Sequence, residues 1–220
     1  MSGPPDLVDS SPYAVERELV ARAVPARRDE LFTGRTLARA ALGALGVTPG
    51  PIGRRPDRSP DWPEGIIGSI THTDGLCSVV VVKPDAAAGR GSEPAVVGVG
   101  LDAEVDARLD EAVTRRVVTP AEQARLGMRT ADDAVVVFSV KEAVFKALNP
   151  VFGVWLELDD LEVELGRDDE LAAGESDGGW FTVRAWAPTV AGLAPTDVSG
   201  RWSRFGAWVL AGAVATLTPP

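Results

Sequence analysis

The chain has 220 residues, 45% hydrophobic and 25% charged, with a formal net charge of −10 at neutral pH. That length builds one large domain or two small ones around a substantial core, and the acidic balance argues against nonspecific nucleic-acid binding. No apolar run approaches the ~18 residues of a membrane helix, no basic-then-apolar leader opens the chain, and one His with one Cys excludes a zinc site, so a cytoplasmic protein engaging neither membrane nor nucleic acid is expected.

The elements, in chain order, begin with two predicted helices over 13–24 and 27–46. On the second, Leu31, Ala38, Ala41, Leu42 and Leu45 make the apolar stripe, with Arg35 and Arg39 one turn apart along its edge. Gly46 and Pro49-Gly50-Pro51 end it. Residues 22–58 carry eight arginines against three acids. Such a patch suits a small polyanion or an acidic partner, or is a solvated arginine-rich face. Apolar runs at 65–71 and 76–82 flank Asp74-Gly75, the signature of a hairpin. Residues 83–94, rich in Ala, Gly and Pro, read as a linker.

The second half opens on Val97-Gly98-Val99-Gly100-Leu101-Asp102-Ala103-Glu104-Val105. Its period of two predicts a strand with Asp102 and Glu104 on one face. Two such close carboxylates raise each other's pKa unless a cation joins them, and Mg²⁺ is a hard, oxygen-seeking answer. A half-exposed acidic strand face is the plainer alternative. Helices are predicted over 106–118, 120–130 and 132–148, with Thr119-Pro120 as an N-terminal signal, and strands near 155–165, 180–187 and 205–216. Long helices with antiparallel strands favour an α+β fold.

In the helix around Phe138–Ala147, Ser139, Glu142 and Lys146 fall within about a 60° arc. Lys141 falls on the apolar side, where it must snorkel or meet an anion. Glu142 and Lys146 alone form an ordinary i,i+4 pair. Together, Asp102, Glu104 and Glu142 supply three carboxylates for a Mg²⁺ shell completed by water and substrate phosphates. Lys141, Lys146 and the arginines then neutralise those phosphates. The set suits phosphoryl-type transfer.

Gly100-Leu101-Asp102-Ala103-Glu104 and Phe138-Ser139-x-Lys141-Glu142-Ala143-x-x-Lys146-Ala147 resemble the two signature motifs of 4′-phosphopantetheinyl transferases, of the type acting on nonribosomal peptide and polyketide synthetases. Trp62-Pro63-x-Gly65-x-x-Gly68-Ser69-Ile70-Thr71-His72 and Arg35-x-x-Ala38-Arg39-x-Ala41-Leu42 resemble the branch that activates enterobactin-type siderophore synthetases. The resemblance spans roughly residues 15–210. Thr73 departs from a frequent cysteine and Leu158 from a common Phe, neither in a charged role.

The resemblance implies two similar α/β halves, 1–94 and 95–220, related by a pseudo-twofold in a monomer, with coenzyme A between them. It implies transfer of the phosphopantetheine arm to a serine of acyl or peptidyl carrier proteins. Asp102, Glu104 and Glu142 would hold Mg²⁺, with Glu142 also the candidate base. Lys141 and Lys146 would contact the pyrophosphate and steady the leaving adenosine bisphosphate. Ser69 and His72 would bind phosphates of coenzyme A. Arg35, Arg27, Arg39, Arg54 and Arg58 are the candidates for the nucleotide end, and Trp62 packs beside it. A coenzyme A-binding module without transfer activity and a metal-dependent phosphohydrolase are the alternatives.

Overall fold

The computed structural model describes residues 11, 13–84, 95–126, 130–170, 175–187, 190 and 196–217. The part of the predicted linker at 85–94 lies outside them. Helix α1 (Ala14–Leu19) is followed by α2 (Pro25–Ala44), whose first residue is a proline pre-set for the helical φ. Phe32, Ala38 and Leu42 form the buried stripe of α2, while Leu45, expected there, is exposed just past the helix end. Two short strands, β1 (Gly53–Arg54) and β2 (Pro60–Asp61), pair into a ribbon within the loop that follows. Strands β3 (Ile67–Thr73) and β4 (Leu76–Val82) form the expected hairpin, and α2 packs on it. Ala38, Leu42, Ile52, Trp62 and Ile66 are the core of this region.

Strand β5 (Ala95–Val105) begins the second region. Helix α3 (Glu111–Val117) starts later than its pattern suggested, where the Asp110 side chain accepts the Val113 N–H. Helix α4 (Pro120–Leu126) opens on a reciprocal capping box: Glu122 N–H donates to Thr119 Oγ1, and Thr119 N–H donates to Glu122 Oε2. Helix α5 (Thr130–Phe152) runs past Pro150, four residues beyond its predicted end. Pro150 has no N–H to return to the Lys146 carbonyl and the helix ends two residues later, where Gly153, at φ +63°, closes it by donating to Asn149 O. Strands β6 (Leu161–Leu165), β7 (Glu175–Trp186), β8 (Thr196–Phe205) and β9 (Trp208–Leu217) complete an antiparallel sheet of order β5-β9-β8-β7-β6. The predicted strand over 205–216 is therefore β9 alone, and β8 is an additional strand.

Helix α5 lies on this sheet, with Val136, Val137, Val140, Val144 and Leu148 packed in one core with Phe181, Val198, Trp202, Val209 and Ala211. Every described strand pairing is antiparallel, so helices on antiparallel sheets make a mixed α+β architecture. The two regions meet where β3 lies along β5 without a backbone ladder. Hydroxyls take its place: Leu101 N–H donates to Ser69 Oγ at 3.0 Å and Ala103 N–H to Thr71 Oγ1 at 3.1 Å. Edge-strand donors facing the seam are thereby satisfied. Among the described residues no helix is long and apolar enough to cross a membrane.

Candidate active site

The alternation in β5 has a second meaning beyond the acids. Gly98 and Gly100 share the face of Asp102 and Glu104, and α5 presses directly on them. A Cβ at Gly98 would stand 2.1 Å from Ala147 O, and one at Gly100 would stand 1.8 Å from Ala143 O. Only glycine admits the helix backbone this closely. The residues preceding those two alanines, Glu142 and Lys146, are thus brought beside the acidic end of the strand.

There Lys146 Nζ donates to Asp102 Oδ1 at 2.5 Å and to Thr71 Oγ1 at 3.4 Å. Asp102 is 3% exposed, and its Oδ2 is buried with no hydrogen-bond partner. Burial first, then the charge of Asp102, pushes the Glu104 carboxyl up to about 7, with Lys146 opposing. The same two causes raise Glu142, again against Lys146. The three acids therefore sense one another in a poorly solvated niche. Among the described residues no three His, Cys, Asp or Glu side chains are drawn into a finished metal-binding group. The donor set nevertheless fits a hard cation, which takes carboxylate oxygens and would satisfy the orphaned Asp102 Oδ2.

A cavity of about 350 Å³ opens beside this niche, lined by Arg27, Arg35, Arg54, Arg58 and His72 together with Glu30, Leu31, Pro60 and Ile70. Arg58, Pro60 and Ile70 also line a second cavity of about 240 Å³, which continues to Lys146, Phe145, Asn149 and Trp155. Four arginines in a walled pocket concentrate positive potential on a bound anion. His72 Nε2 accepts from Arg27 Nη1 at 2.7 Å, which places the ring proton on Nδ1, toward Glu30. Burial lowers the His72 pKa against the pull of Glu30, so the ring is neutral at pH 7. Arg58 sits at φ +71°, in a turn where Arg58 N–H donates to Arg55 O and the Asp57 side chain accepts from Ser59 N–H and Oγ.

Several expected ligands stand elsewhere. Lys141 is 1% exposed, and its ammonium donates to Glu122 Oε2 at 2.9 Å, Val117 O at 2.8 Å and Leu158 O at 2.7 Å. It meets an anion, as its apolar position required, and that anion is Glu122; all three ammonium donors are used in the core, and Lys141 lines neither cavity. Arg39 is turned to Glu16 at 2.6 Å, stacks over Tyr13 and lines neither cavity. Ser69 lies in the cavity wall, and its hydroxyl is also held by the Leu101 backbone. Arg35 borders the basic cavity while Nε and Nη2 donate to Ile52 O and Gly53 O, both at 2.9 Å. Burial lowers its pKa to about 10, against Glu16, leaving it charged at neutral pH. Trp62 is packed in the first core with its indole N–H on Gly68 O.

Glu122 and Glu16, both fully buried, were not anticipated as organising residues. The Thr119-x-x-Glu122 capping spacing was a usable signal for the first; Glu16 sits in a six-residue helix with no pattern around it.

Comparison with known proteins gives a consistent result. Residues 15–82 match the profile described as 4′-phosphopantetheinyl transferase N-terminal domain, and residues 98–189 match that of the 4′-phosphopantetheinyl transferase superfamily. The chain is 37% identical to 4′-phosphopantetheinyl transferase Svp of Streptomyces mobaraensis, over 98% of this chain and 82% of that protein. It is 36% identical to 4′-phosphopantetheinyl transferase PptT of Mycobacterium tuberculosis, over 92% and 84%. Enterobactin synthase component D of Escherichia coli O157:H7 is a more distant relative, 32% identical over 55% of this chain and 54% of its own length. With an acid–lysine niche opening on an arginine-lined cavity, and relatives matching along nearly its whole length, the chain belongs to the 4′-phosphopantetheinyl transferase superfamily.

Proposed function

We propose that this protein transfers the 4′-phosphopantetheine arm of coenzyme A to a serine of apo acyl or peptidyl carrier proteins serving polyketide, nonribosomal peptide, siderophore or fatty acid synthesis. One observation carries the reading: Lys146 closes on Asp102, beside Glu104 and Glu142, and lines a cavity that shares Arg58, Pro60 and Ile70 with the arginine-lined one. The arrangement suits a ligand with a diphosphate at one point and a further phosphate at another.

Arg27, Arg54 and Arg58, with His72, hold the nucleotide end and its 3′-phosphate. Lys146 lies against the diphosphate. Glu142, its pKa raised by burial, accepts the proton of the incoming serine hydroxyl, directly or through water. The serine oxygen bonds to the phosphorus bearing the pantetheine. The bond from that phosphorus to the bridging oxygen breaks, and adenosine 3′,5′-bisphosphate leaves with the electron pair, its charge offset by Lys146. Mg²⁺, when bound by Asp102, Glu104 and Glu142, supplies screening of the diphosphate charge.

Carrier proteins of this class are acidic, so the arginine-rich first region is their docking side, and the acidic second region repels them. The protein is a cytoplasmic monomer whose segments 1–94 and 95–220 are the two related halves. The test is to mix protein, coenzyme A, Mg²⁺ and an apo carrier domain, and to weigh the carrier by mass spectrometry. A gain of one phosphopantetheine is expected. Coenzyme A bound with the carrier unchanged would make the chain a binding module, and carrier-independent cleavage would make it a phosphohydrolase.

A further inference from the structure

The basic cavity owes two of its four arginines to the β1–β2 ribbon, Arg54 in β1 and Arg58 in the connecting turn. Four residues paired through two Cα partners make a weak unit of their own. What fixes the ribbon lies behind it. Glu16, with no exposed surface, accepts the Ile52 N–H at 2.9 Å through Oε1, which also takes Arg39 Nη1. Its Oε2 accepts from Ser11 Oγ. Arg35 grips the same stretch from the other side, through the carbonyls of Ile52 and Gly53. Both polar groups of Ile52 and the carbonyl of Gly53 are thus held by buried charged side chains at the root of the strand that carries Arg54. Charge-assisted bonds of this kind are about twice as strong as neutral ones.

We infer that Glu16 and Arg35 are positioning residues for coenzyme A recognition: together they clamp residues 52–53 and so aim Arg54 and Arg58 at the anion in the basic cavity. The inference rests on the functional reading above for the identity of that anion, and it gives Arg35, which also lines the basic cavity, a hold on the backbone behind it.

The test pairs two substitutions. Glu16→Gln keeps a carbonyl oxygen for Ile52 N–H and Arg39, and offers its amide to Ser11. Glu16→Met keeps the bulk and removes the acceptor. In the unliganded protein, amide hydrogen exchange across residues 52–61 is expected to quicken in the Met variant and to stay near wild type in the Gln variant. With coenzyme A and an apo carrier, the Met variant is expected to raise KM for coenzyme A about tenfold with kcat at saturation unchanged, and to narrow the preference for coenzyme A over its 3′-dephospho form. The Gln variant restores both. A purely structural Glu16 would lower the melting temperature and move neither the KM–kcat split nor that preference.

Unaltered exchange in a folded Met variant would overturn the inference, as would freely exchanging Ile52 in the wild type, a measurement that does not depend on the variant folding. Faster exchange with unchanged KM would overturn the recognition role. A wild-type protein that takes up no coenzyme A overturns the functional reading, while the exchange data still decide the clamp.

Discussion

The two ends of the cleft are built in opposite ways. The acid–lysine end is set by an eleven-residue strand and a 23-residue helix touching backbone to backbone at Gly98 and Gly100. Its side chains therefore inherit their positions from large elements and need little local support. Half of the arginine end, Arg54 and Arg58, hangs on a ribbon of two two-residue strands and a turn with one residue at positive φ, and it depends on hydrogen bonds arriving from α1 and α2. The proposed mechanism puts the reacting groups at the rigid end, where small displacements are expensive. The end that grips charge tolerates a softer frame, because Coulomb attraction falls slowly with distance.

The largest effect expected from that contrast is at the rigid end. Glu142→Gln removes the base and should lower kcat about 10²–10⁴-fold, with circular dichroism unchanged; turnover near wild type would remove Glu142 from that role. Lys141→Met should act on stability instead, because it leaves Glu122 buried without its cation, a loss of about 3–5 kcal/mol readable by urea denaturation. If the variant were as stable as the parent, Lys141 would not be the pin that the geometry describes. At the soft end, Arg58→Ala should raise KM for coenzyme A about five- to tenfold and leave kcat at saturation unchanged; a matching fall in kcat would erase the distinction between the two ends.

The smallest effect is a pH dependence. Glu104 titrates near 7 in the folded chain and at an ordinary carboxylate value when unfolded, so the folded state binds the proton more tightly. Stability without metal should therefore decline as pH rises from about 4.5 toward 7 through this group. Glu104→Gln should remove that component of the melting-temperature profile, and added Mg²⁺ should oppose it in the parent chain. A profile identical in parent and variant would show that the niche is better solvated than the structure indicates.

Much of this was legible in the chain. The period of two in β5, the Asp74-Gly75 hairpin and the helical placement of Glu142 and Lys146 follow from local pattern, which backbone geometry enforces. Lys141 was legible as an anomaly but not by partner: a lysine among valines announces a buried anion without saying which, and Glu122 lies 19 residues away in sequence. Arg39 stands one turn from Arg35, as its spacing indicates, but local pattern does not disclose that buried Glu16 takes up its guanidinium. Strand β8 escaped notice because Asp197, Ser199, Arg201 and Ser203 alternate with Val198, Gly200 and Trp202, and so little of it is apolar. It gains its place from neighbours on both sides, information that no local window contains. The ribbon root at 52–53 is tertiary altogether.

The junction of β3 with β5 is fastened by two hydroxyls, and at its far tip the Trp208 indole N–H donates to Asp74 O. At roughly 1 kcal/mol per neutral hydrogen bond, the polar stitching of this joint is light for the length of strand it spans. A continuous ladder would have welded both walls of the crevice into one sheet. Side-chain links, Lys146 to Thr71 among them, instead leave each wall with its own intact backbone hydrogen bonding, so the crevice is bounded by two separate sheets rather than one.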